Sequence, residues 1–274
     1  MSATPIPRTL ALILYGDLDI TIIDDKPVGR QDIDTFCIND KVRMRAYGFV
    51  RKQLEEGRQG YVVCPLVEES ESLDAVASVQ YAEKLQKVFP EYKVGLLHGK
   101  MKAKEKDEVM MQFKNGDINL LVSTTVIEVG VDVANANIMI IENAERFGLS
   151  QLHQLRGRVG KGDFKSYCVL ITNSENDVTK QRMTIMTETN DGFKISQKDL
   201  ELRGCGEFFG TRQHGLPELK IANLFTDIDI LKEAQIVCTE LLEENPCLYG
   251  NEYARLKERI THMFDKFDGA DIFN

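Results

Sequence analysis

The sequence predicts an α/β protein with a mostly parallel sheet flanked by helices, followed by a region built from helices alone. From about residue 17 to residue 172, short apolar runs alternate with longer amphipathic segments, which is typical of parallel strands joined by helices. After residue 172, amphipathic segments follow one another with no strand-like run between them. The 274 residues are 43% hydrophobic, enough for two domains with cores of their own. We place these domains at residues 1–172 and 173–274.

Five runs rich in Val, Ile and Leu, bounded by Gly, Asn or Asp, predict strands. In chain order they are YVVCPL (61–66), KVGLLH (93–98), INLLVST (118–124), NIMIIEN (137–143) and YCVLIT (167–172). The runs DITII (19–23) and DIDTFCI (32–38) are weaker candidates.

Helices are predicted where apolar residues recur at helical spacing. Two such segments lie among the strands, DAVASVQYAEKLQKVF (74–89) and KAKEKDEVMMQFKNG (102–116), and the second ends on Asn-Gly, a helix C-terminal signal. Four more follow residue 172: DVTKQRMTIMTET (177–189), ISQKDLELR (195–203), DIDILKEAQIVCTELLEE (227–244) and EYARLKERITHMFDKF (252–267). A glycine-rich elbow, RGCGEFFGTRQHG (203–215), separates the second and third of these four.

Composition excludes several classes of function. The formal net charge of −9 argues against a protein that coats nucleic acid non-specifically, because that affinity grows with the number of phosphates neutralised. No apolar run approaches the roughly 20 residues needed to span a bilayer. The six cysteines form no C-x-x-C pair and do not cluster with the four histidines, so we expect neither zinc nor disulfides.

Positive charge and glycine are concentrated in HQLRGRVGKG (153–162), at the end of a predicted helix. Backbone amides and guanidinium groups of such a turn match the oxygens of a phosphate. The phosphate-cradling motif G-x-x-x-x-G-K-[ST] is absent from the sequence, and GLLHGKM (95–101) fails it in spacing and in its last residue. KDEVM (106–110) imitates a magnesium-binding Asp-Glu pair but lies within a predicted helix. An arginine that reaches a nucleotide held by another domain fits both observations.

Four long segments then make a family recognisable: SATPIPRT (2–9), STTVIEVGVDV (123–133), ENAERFGLSQLHQLRGRVGKG (142–162) and DLELRGCGEFFGTRQHG (199–215). Together they resemble the second motor lobe and C-terminal region of RecG-type ATP-dependent DNA helicases. The resemblance covers nearly the whole chain and implies a RecA-like lobe of the P-loop NTPase superfamily, in the form that carries no P-loop itself.

The resemblance also implies roles for individual residues. Catalysis would depend on Arg158, as an arginine finger, with Lys161 and Gln154. The nucleotide would be approached by Gly130, Asp132, Gly157 and Arg158. DNA contact and its coupling to nucleotide state would involve Ser2, Thr4, Arg8, Thr124, Thr125, Glu128, Arg203, Arg212 and Gln213. For Asp132 a turn or helix-capping role is a serious rival, and the elbow at 203–215 is also compatible with a helical hairpin that only packs against the lobe.

Cofactors and partners follow from the same resemblance. We expect ATP with Mg²⁺, bound mainly by a first motor lobe that this chain lacks, so that the chain alone is inactive. The expected partners are double-stranded and branched DNA, the first motor lobe and N-terminal wedge domain of the same protein, and single-stranded-DNA-binding protein. The expected location is the bacterial cytoplasm, associated with the nucleoid, with no membrane contact.

Three positions depart from the family pattern. Lys161 stands where a second arginine is usual, so the charge is kept but the planar fork is lost. Ala134 and Cys205 stand where proline is usual, which loosens the backbone without removing a donor. Two other functions remain open at this point: a transcription-repair coupling factor, and a non-catalytic nucleic-acid-binding module derived from a helicase lobe.

Overall fold

The computed structural model describes residues 31–65, 71–124, 132–208 and 228–267. The strands are β1 (Ile33–Ile38), β2 (Gln59–Val63), β3 (Val94–Leu97), β4 (Leu120–Ser123), β5 (Ala136–Ile141) and β6 (Ser166–Ile171). The helices are α1 (Arg43–Glu55), α2 (Glu71–Val88), α3 (Ala103–Lys114), α4 (Leu149–Arg156), α5 (Asp177–Glu188), α6 (Gly192–Phe208), α7 (Ile228–Glu244) and α8 (Ala254–Phe267). Short 3₁₀ turns lie at Asp40–Val42, Ala144–Arg146 and Asn251–Tyr253.

The described strands form one six-stranded sheet in the order β1-β6-β5-β2-β4-β3, and every pair in it is parallel. The predicted fold class is therefore confirmed, including the helical region after the last strand. The weaker candidate at 32–38 is strand β1, at one edge of the sheet, whereas the candidate at 19–23 lies outside the described residues.

Apolar side chains alternate along the central strands and build a core on each face of the sheet. In β5, Met139 and Ile141 face one core while Ile138 and Ile140 face the other, and all four are at most 1% exposed. Helices α1 and α2 cover the second face, and α3, α4 and α5 cover the first. Burial on both faces explains why these strands are continuous apolar runs.

Helix α1 was not predicted. Its buried residues Tyr47, Val50 and Leu54 have helical spacing, but Arg51 and Lys52 lie between the last two, and Val42 at its N-cap makes no side-chain capping bond. Helix α6 is longer than predicted: it begins at Gly192 and continues through the first residues of the predicted elbow to Phe208.

In the described part of the chain, residues 31–202 fall in one compact unit, and residues 203–208 and 228–267 fall in a second. The domain boundary at residue 172 stays a prediction. No helix in the four described ranges is long and apolar enough to cross a membrane. Cys37, Cys64, Cys168, Cys238 and Cys247 are free thiols.

A partly buried ion pair joins α1 to the end of β5. The Arg43 guanidinium donates to the Glu142 carboxylate over 2.6 Å, and the Tyr81 hydroxyl of α2 donates to the same oxygen over 2.5 Å. Burial and the nearby Glu142 carboxylate raise the pKa of Tyr81 above its usual value. One carboxylate therefore fastens both helices of this face to the carboxyl edge of the sheet.

We expect Glu142→Gln to lower the free energy of unfolding by about 3 kcal/mol, because it removes the buried charged partner of Arg43 and leaves only Asp40, whose side chain is 53% exposed. Glu91→Gln is the matched control: Glu91 is also paired with an arginine, Arg51, but its side chain is 58% exposed. Urea unfolding should show no measurable change for the control. Equal effects of the two substitutions would contradict a special role for the Glu142 pair.

Candidate functional site

Helix α4 carries the basic, glycine-rich segment found in the sequence. Leu149, Leu152 and Leu155 are buried against the sheet, so the opposite side of the helix faces outward. The helix ends at Arg156, and the N–H of the next residue, Gly157, donates to the carbonyl of His153 over 2.9 Å. Gln154 and Arg158 are half-buried near this end. The predicted phosphate-binding segment is thus the C-terminal turn of α4 and the loop after it.

Two glycines let this loop pack closely against the sheet. Gly160 has a φ of +78°, in the left-handed region that favours glycine, and a Cβ there would lie 3.1 Å from Cγ1 of Ile33. A Cβ on Gly162 would collide with the backbone of Ala134, lying 3.2 Å from its carbonyl carbon and closer still to its oxygen. The loop is therefore held against the start of β1 and the residues that precede β5, at the amino-terminal edge of the sheet.

This packing brings together one predicted catalytic residue, Lys161, and one predicted nucleotide-binding residue, Asp132. The ammonium of Lys161 pairs with the carboxylate of Asp132, although the two are 29 positions apart in the chain. The Lys161 side chain is 23% exposed and that of Asp132 is 65% exposed. The Asp132 carboxylate thus forms an ion pair between two loops. If Asp132 were only a turn or cap residue, this ion pair would not be needed.

Arg158 belongs to the same loop, at the amino-terminal edge of the sheet. Burial raises the pKa of Tyr61, in β2, to about 12; the Arg158 guanidinium opposes this rise and the Asp132 carboxylate adds to it. Both charges are therefore close enough to act on the Tyr61 hydroxyl. We call Arg158 and the Lys161–Asp132 ion pair, whose lysine lies three positions further along the same loop, the amino-edge cluster.

Amide side chains hold the loops under the amino-edge cluster. Asn135 accepts from Arg58 over 2.9 Å and donates to the carbonyl of Gly57 over 2.9 Å. The buried Asn137 donates to Gln53 over 2.6 Å and to the carbonyl of Lys165 over 3.2 Å. These bonds fix the residue before β5 and the start of that strand to neighbouring segments, next to Ala134, which Gly162 contacts.

Thr124 lies at the opposite edge of the sheet, just after β4. It is 2% exposed, and its N–H donates to the carbonyl of Leu97 over 3.3 Å. Because β4 and β5 both run parallel to β2, the end of β4 and the start of β5 lie at opposite edges. The predicted DNA-facing Thr124 and nucleotide-facing Asp132 are accordingly at opposite edges. Thr124 Oγ1 and the nearby His98 Nδ1 are buried atoms with no hydrogen-bond partner in the part of the chain that the structure describes.

One basic residue of the segment does not face outward. Arg156 was counted with the positive charge concentrated in this segment, but it is 2% exposed and is among the largest fully buried side chains. Its inward orientation removes it from any phosphate site, and neither charge nor spacing in the sequence predicts that orientation. The outward-facing charge of the segment therefore comes from Arg158 and Lys161.

Several predicted residues cannot be placed. Ser2, Thr4, Arg8, Thr125, Glu128, Gly130, Arg212 and Gln213 lie outside the described residues. The backbone of Arg203 lies in α6, and its side chain is outside what the structure describes. The roles of these residues stay predictions, as do those of the residues that the structure does place.

The sequence matches two families. The helicase conserved C-terminal domain family matches residues 45–163, and the family of ATP-dependent DNA helicase RecG, domain 3, C-terminal, matches residues 189–268. The resemblance predicted from the sequence is confirmed by both matches.

Curated relatives agree with these families. The chain is 48% identical over 273 residues to the ATP-dependent DNA helicase RecG of Synechocystis sp., covering 99% of this chain and 33% of that protein. It is 47% identical over 261 residues to the RecG of Bacillus subtilis, covering 95% of this chain and 38% of that protein. The chain thus spans about a third of the length of these relatives.

A solved structure agrees with the fold. The structure of RecG bound to a three-way DNA junction superposes with a TM-score of 0.67 at 46% identity, covering 85% of this chain and 30% of that one.

We expect Gly162→Ala to lower the free energy of unfolding by about 2 kcal/mol, because the added methyl group collides with the Ala134 backbone. Hydrogen exchange should also accelerate in residues 157–165. Gly48→Ala is the control: Gly48 is an exposed position in α1 where a Cβ meets nothing within 4 Å, so this change should stabilise by about 1 kcal/mol. Unchanged stability of the Gly162 variant would mean that the loop is not held against Ala134.

Proposed function

We propose that this chain is the second motor lobe and C-terminal region of a RecG-type, superfamily 2 ATP-dependent DNA helicase, a double-stranded DNA translocase that remodels branched DNA. The single observation that supports this most is the amino-edge cluster, in which Lys161, three positions after Arg158, pairs with Asp132, which is 29 positions away in the chain. The complete protein would act on stalled forks and Holliday junctions in recombination and repair.

In this proposal Arg158 contacts the transferring phosphoryl group of ATP. A guanidinium aimed at that group stabilises the charge that develops in the transition state, and it needs no proton transfer. Gln154 lies one helical turn before Arg158 and would help to orient the same phosphate. Gly157 has no side chain and would leave room for that phosphate. Lys161 is paired with Asp132, so its charge would mainly hold the loop in place.

The use of ATP is supported by the relatives, which are ATP-dependent DNA helicases. We assign ATP with Mg²⁺ mainly to the first motor lobe of the complete helicase, because this sequence has no G-x-x-x-x-G-K-[ST] motif. In the four ranges that the structure describes, no group of three or more side chains is arranged to hold a metal ion. The second lobe, which is this chain, would complete the nucleotide site from the opposite side by contributing Arg158.

DNA would contact the other edge of the sheet, where Thr124 lies at the end of β4. Thr125 and Glu128 would belong to the same contact, and Ser2, Thr4 and Arg8 would couple it to nucleotide state. Branched DNA as the substrate is supported by the relative that was solved with a three-way junction. An N-terminal wedge domain and single-stranded-DNA-binding protein are further proposed partners, and we propose the nucleoid in the bacterial cytoplasm as the location.

The RecG function is preferred over a transcription-repair coupling factor because the family matched at residues 189–268 is that of RecG domain 3. The third alternative, a non-catalytic binding module, is separated from both by enzyme assays. A module should bind DNA without any arginine-dependent ATP hydrolysis, whereas a motor lobe should restore hydrolysis when it is joined to a first lobe.

We expect Arg158→Ala, in a two-lobed helicase that carries this chain, to lower ATP turnover by about 10³-fold, as the loss of an arginine finger does. Affinity for a three-way junction should change little, because Arg158 lies at the edge opposite to Thr124. Turnover is measured as phosphate release with junction DNA. The chain alone should show no DNA-stimulated hydrolysis.

The control for this experiment is Arg45→Ala, which removes an exposed arginine of α1 and should change turnover by less than about threefold. Normal turnover in the Arg158 variant would mean that another residue is the finger. Hydrolysis by the chain alone would contradict the assignment of the nucleotide to a first lobe.

We expect Arg203→Ala and Gln213→Ala to uncouple the same helicase, so that it keeps DNA-stimulated ATPase activity and loses unwinding of junctions. A packing role would have another result: a lost arginine contact would lower the free energy of unfolding by about 1–3 kcal/mol and reduce both activities together. ATPase rate, unwinding rate and thermal midpoint are measured on each variant. Arg259→Ala, an exposed arginine of α8, is the control. A parallel loss of all three quantities would refute coupling.

A further inference from the structure

We propose that Arg156 is a positioning residue for Arg158, setting the point at which α4 ends and hence where the finger is presented. This inference rests on the proposed function, because it concerns the residue that we assign to the phosphoryl group. It concerns a side chain that touches neither nucleotide nor DNA in that proposal, since it is only 2% exposed.

The buried guanidinium of Arg156 ties three elements together. One nitrogen, Nη1, donates to the carbonyl of Met186 in α5 over 2.7 Å and to the hydroxyl of Thr35 in β1 over 3.2 Å. The other, Nη2, donates to Nδ1 of His153, one turn earlier in α4, over 3.2 Å. The last residue of α4 is thereby held against both the edge strand and the neighbouring helix.

The Met186 carbonyl is a favourable partner for a buried cation. It lies in the last turn of α5, where carbonyl groups have no donor within their own helix and the helix dipole is negative. Burial nevertheless lowers the pKa of Arg156, which shows that the surroundings disfavour its charge. Thr35, Met186 and His153 accept its hydrogen bonds as neutral groups, and the Asp32 carboxylate only partly offsets the effect of burial on the pKa of Arg156. An apolar side chain of similar size would fill this space at a lower desolvation cost.

The backbone next to Arg156 shows how its position reaches Arg158. The N–H of Arg158 donates to the carbonyl of Leu155 over 3.0 Å, and that of Val159 donates to the carbonyl of Arg156 over 3.3 Å. The turn that contains Arg158 is therefore built directly on the backbone of Arg156. If the Arg156 side chain is removed, its three hydrogen bonds are lost, and the turn that contains Arg158 is no longer tied to α5 and β1.

The opposite end of α4 offers a matched comparison. Arg182, also on the α4–α5 contact, donates to the carbonyls of Phe147 over 3.1 Å and Glu145 over 3.2 Å, just before α4 begins. Both arginines thus fasten α4 to α5 through main-chain carbonyls, one at each end. Only Arg156 adjoins the turn that presents Arg158. A general packing role predicts similar consequences for the loss of either arginine.

The test uses a two-lobed helicase that carries this chain, with ATP turnover measured on a three-way junction. Arg156→Met should lower kcat by about tenfold or more with little change in the KM for ATP, because misplacing a transition-state contact affects kcat. Arg156→Lys keeps the positive charge and can still donate to one of the acceptors, so its kcat should lie between those of the original enzyme and Arg156→Met. Arg182→Met should lower the thermal midpoint similarly while changing kcat by less than about threefold.

A double-mutant cycle separates positioning from packing. If Arg156 acts through Arg158, then Arg156→Met should cause no further loss of kcat in an Arg158→Ala background. Independent, multiplicative losses would overturn the inference, and so would equal kcat values for the Arg156→Met and Arg182→Met enzymes. If Arg156→Met fails to fold, the Arg156→Lys enzyme is used instead, and both its kcat and the hydrogen exchange of its residues 157–163 are measured. A normal kcat together with unchanged exchange would overturn the inference.

The same measurements distinguish this inference from the proposed function. Normal turnover in the Arg158→Ala enzyme would remove the finger assignment and the positioning role with it. An impaired Arg158→Ala enzyme, together with unimpaired Arg156→Met, would remove only the positioning role.

Discussion

The candidate site depends on the close approach of two backbone segments at the amino-terminal edge of the sheet. Gly162 lies so near the carbonyl group of Ala134 that no side chain fits between them. This approach brings the loop after α4 over the residues before β5, and it is the reason that Lys161 meets Asp132. A bulkier residue at position 162 would separate the loops and so break the amino-edge cluster before any charge was changed.

The parallel sheet gives the two edges different roles. Each strand begins at the edge where Asp132 and Lys161 pair and ends at the edge where Thr124, His98 and Glu142 lie. Residues 124–132 connect the end of β4 to the edge where β5 begins, so one short segment joins the proposed DNA-facing and nucleotide-facing edges. Chain direction alone therefore keeps the two proposed contacts apart while linking them covalently.

Much of this fold follows from the sequence, because burial on both faces makes β2, β4, β5 and β6 continuous apolar runs. Strand β1 was only a weak candidate since it is an edge strand, with polar residues such as Asp34 and Thr35 partly exposed. Helix α1 was not predicted because its few buried side chains lie in a segment that also carries three arginines and a lysine. The site residues came from family resemblance, and spacing alone could not pair Lys161 with Asp132. The inward orientation of Arg156 depends on a carbonyl 30 residues away, which no local pattern encodes.

The pairing of Lys161 with Asp132 bears on how the charges of the amino-edge cluster are divided. An arginine at position 161 could grip a carboxylate with one side of its planar fork and leave other N–H groups for a phosphate. A lysine ammonium is a compact charge, and here it is already engaged by a carboxylate. To reach a phosphate, Lys161 would have to share or leave Asp132, and leaving it would release the contact that helps to hold the loop. In this chain the loop-holding and phosphate-binding roles are therefore best divided between two residues, with Lys161 holding the loop and Arg158 meeting the phosphoryl group.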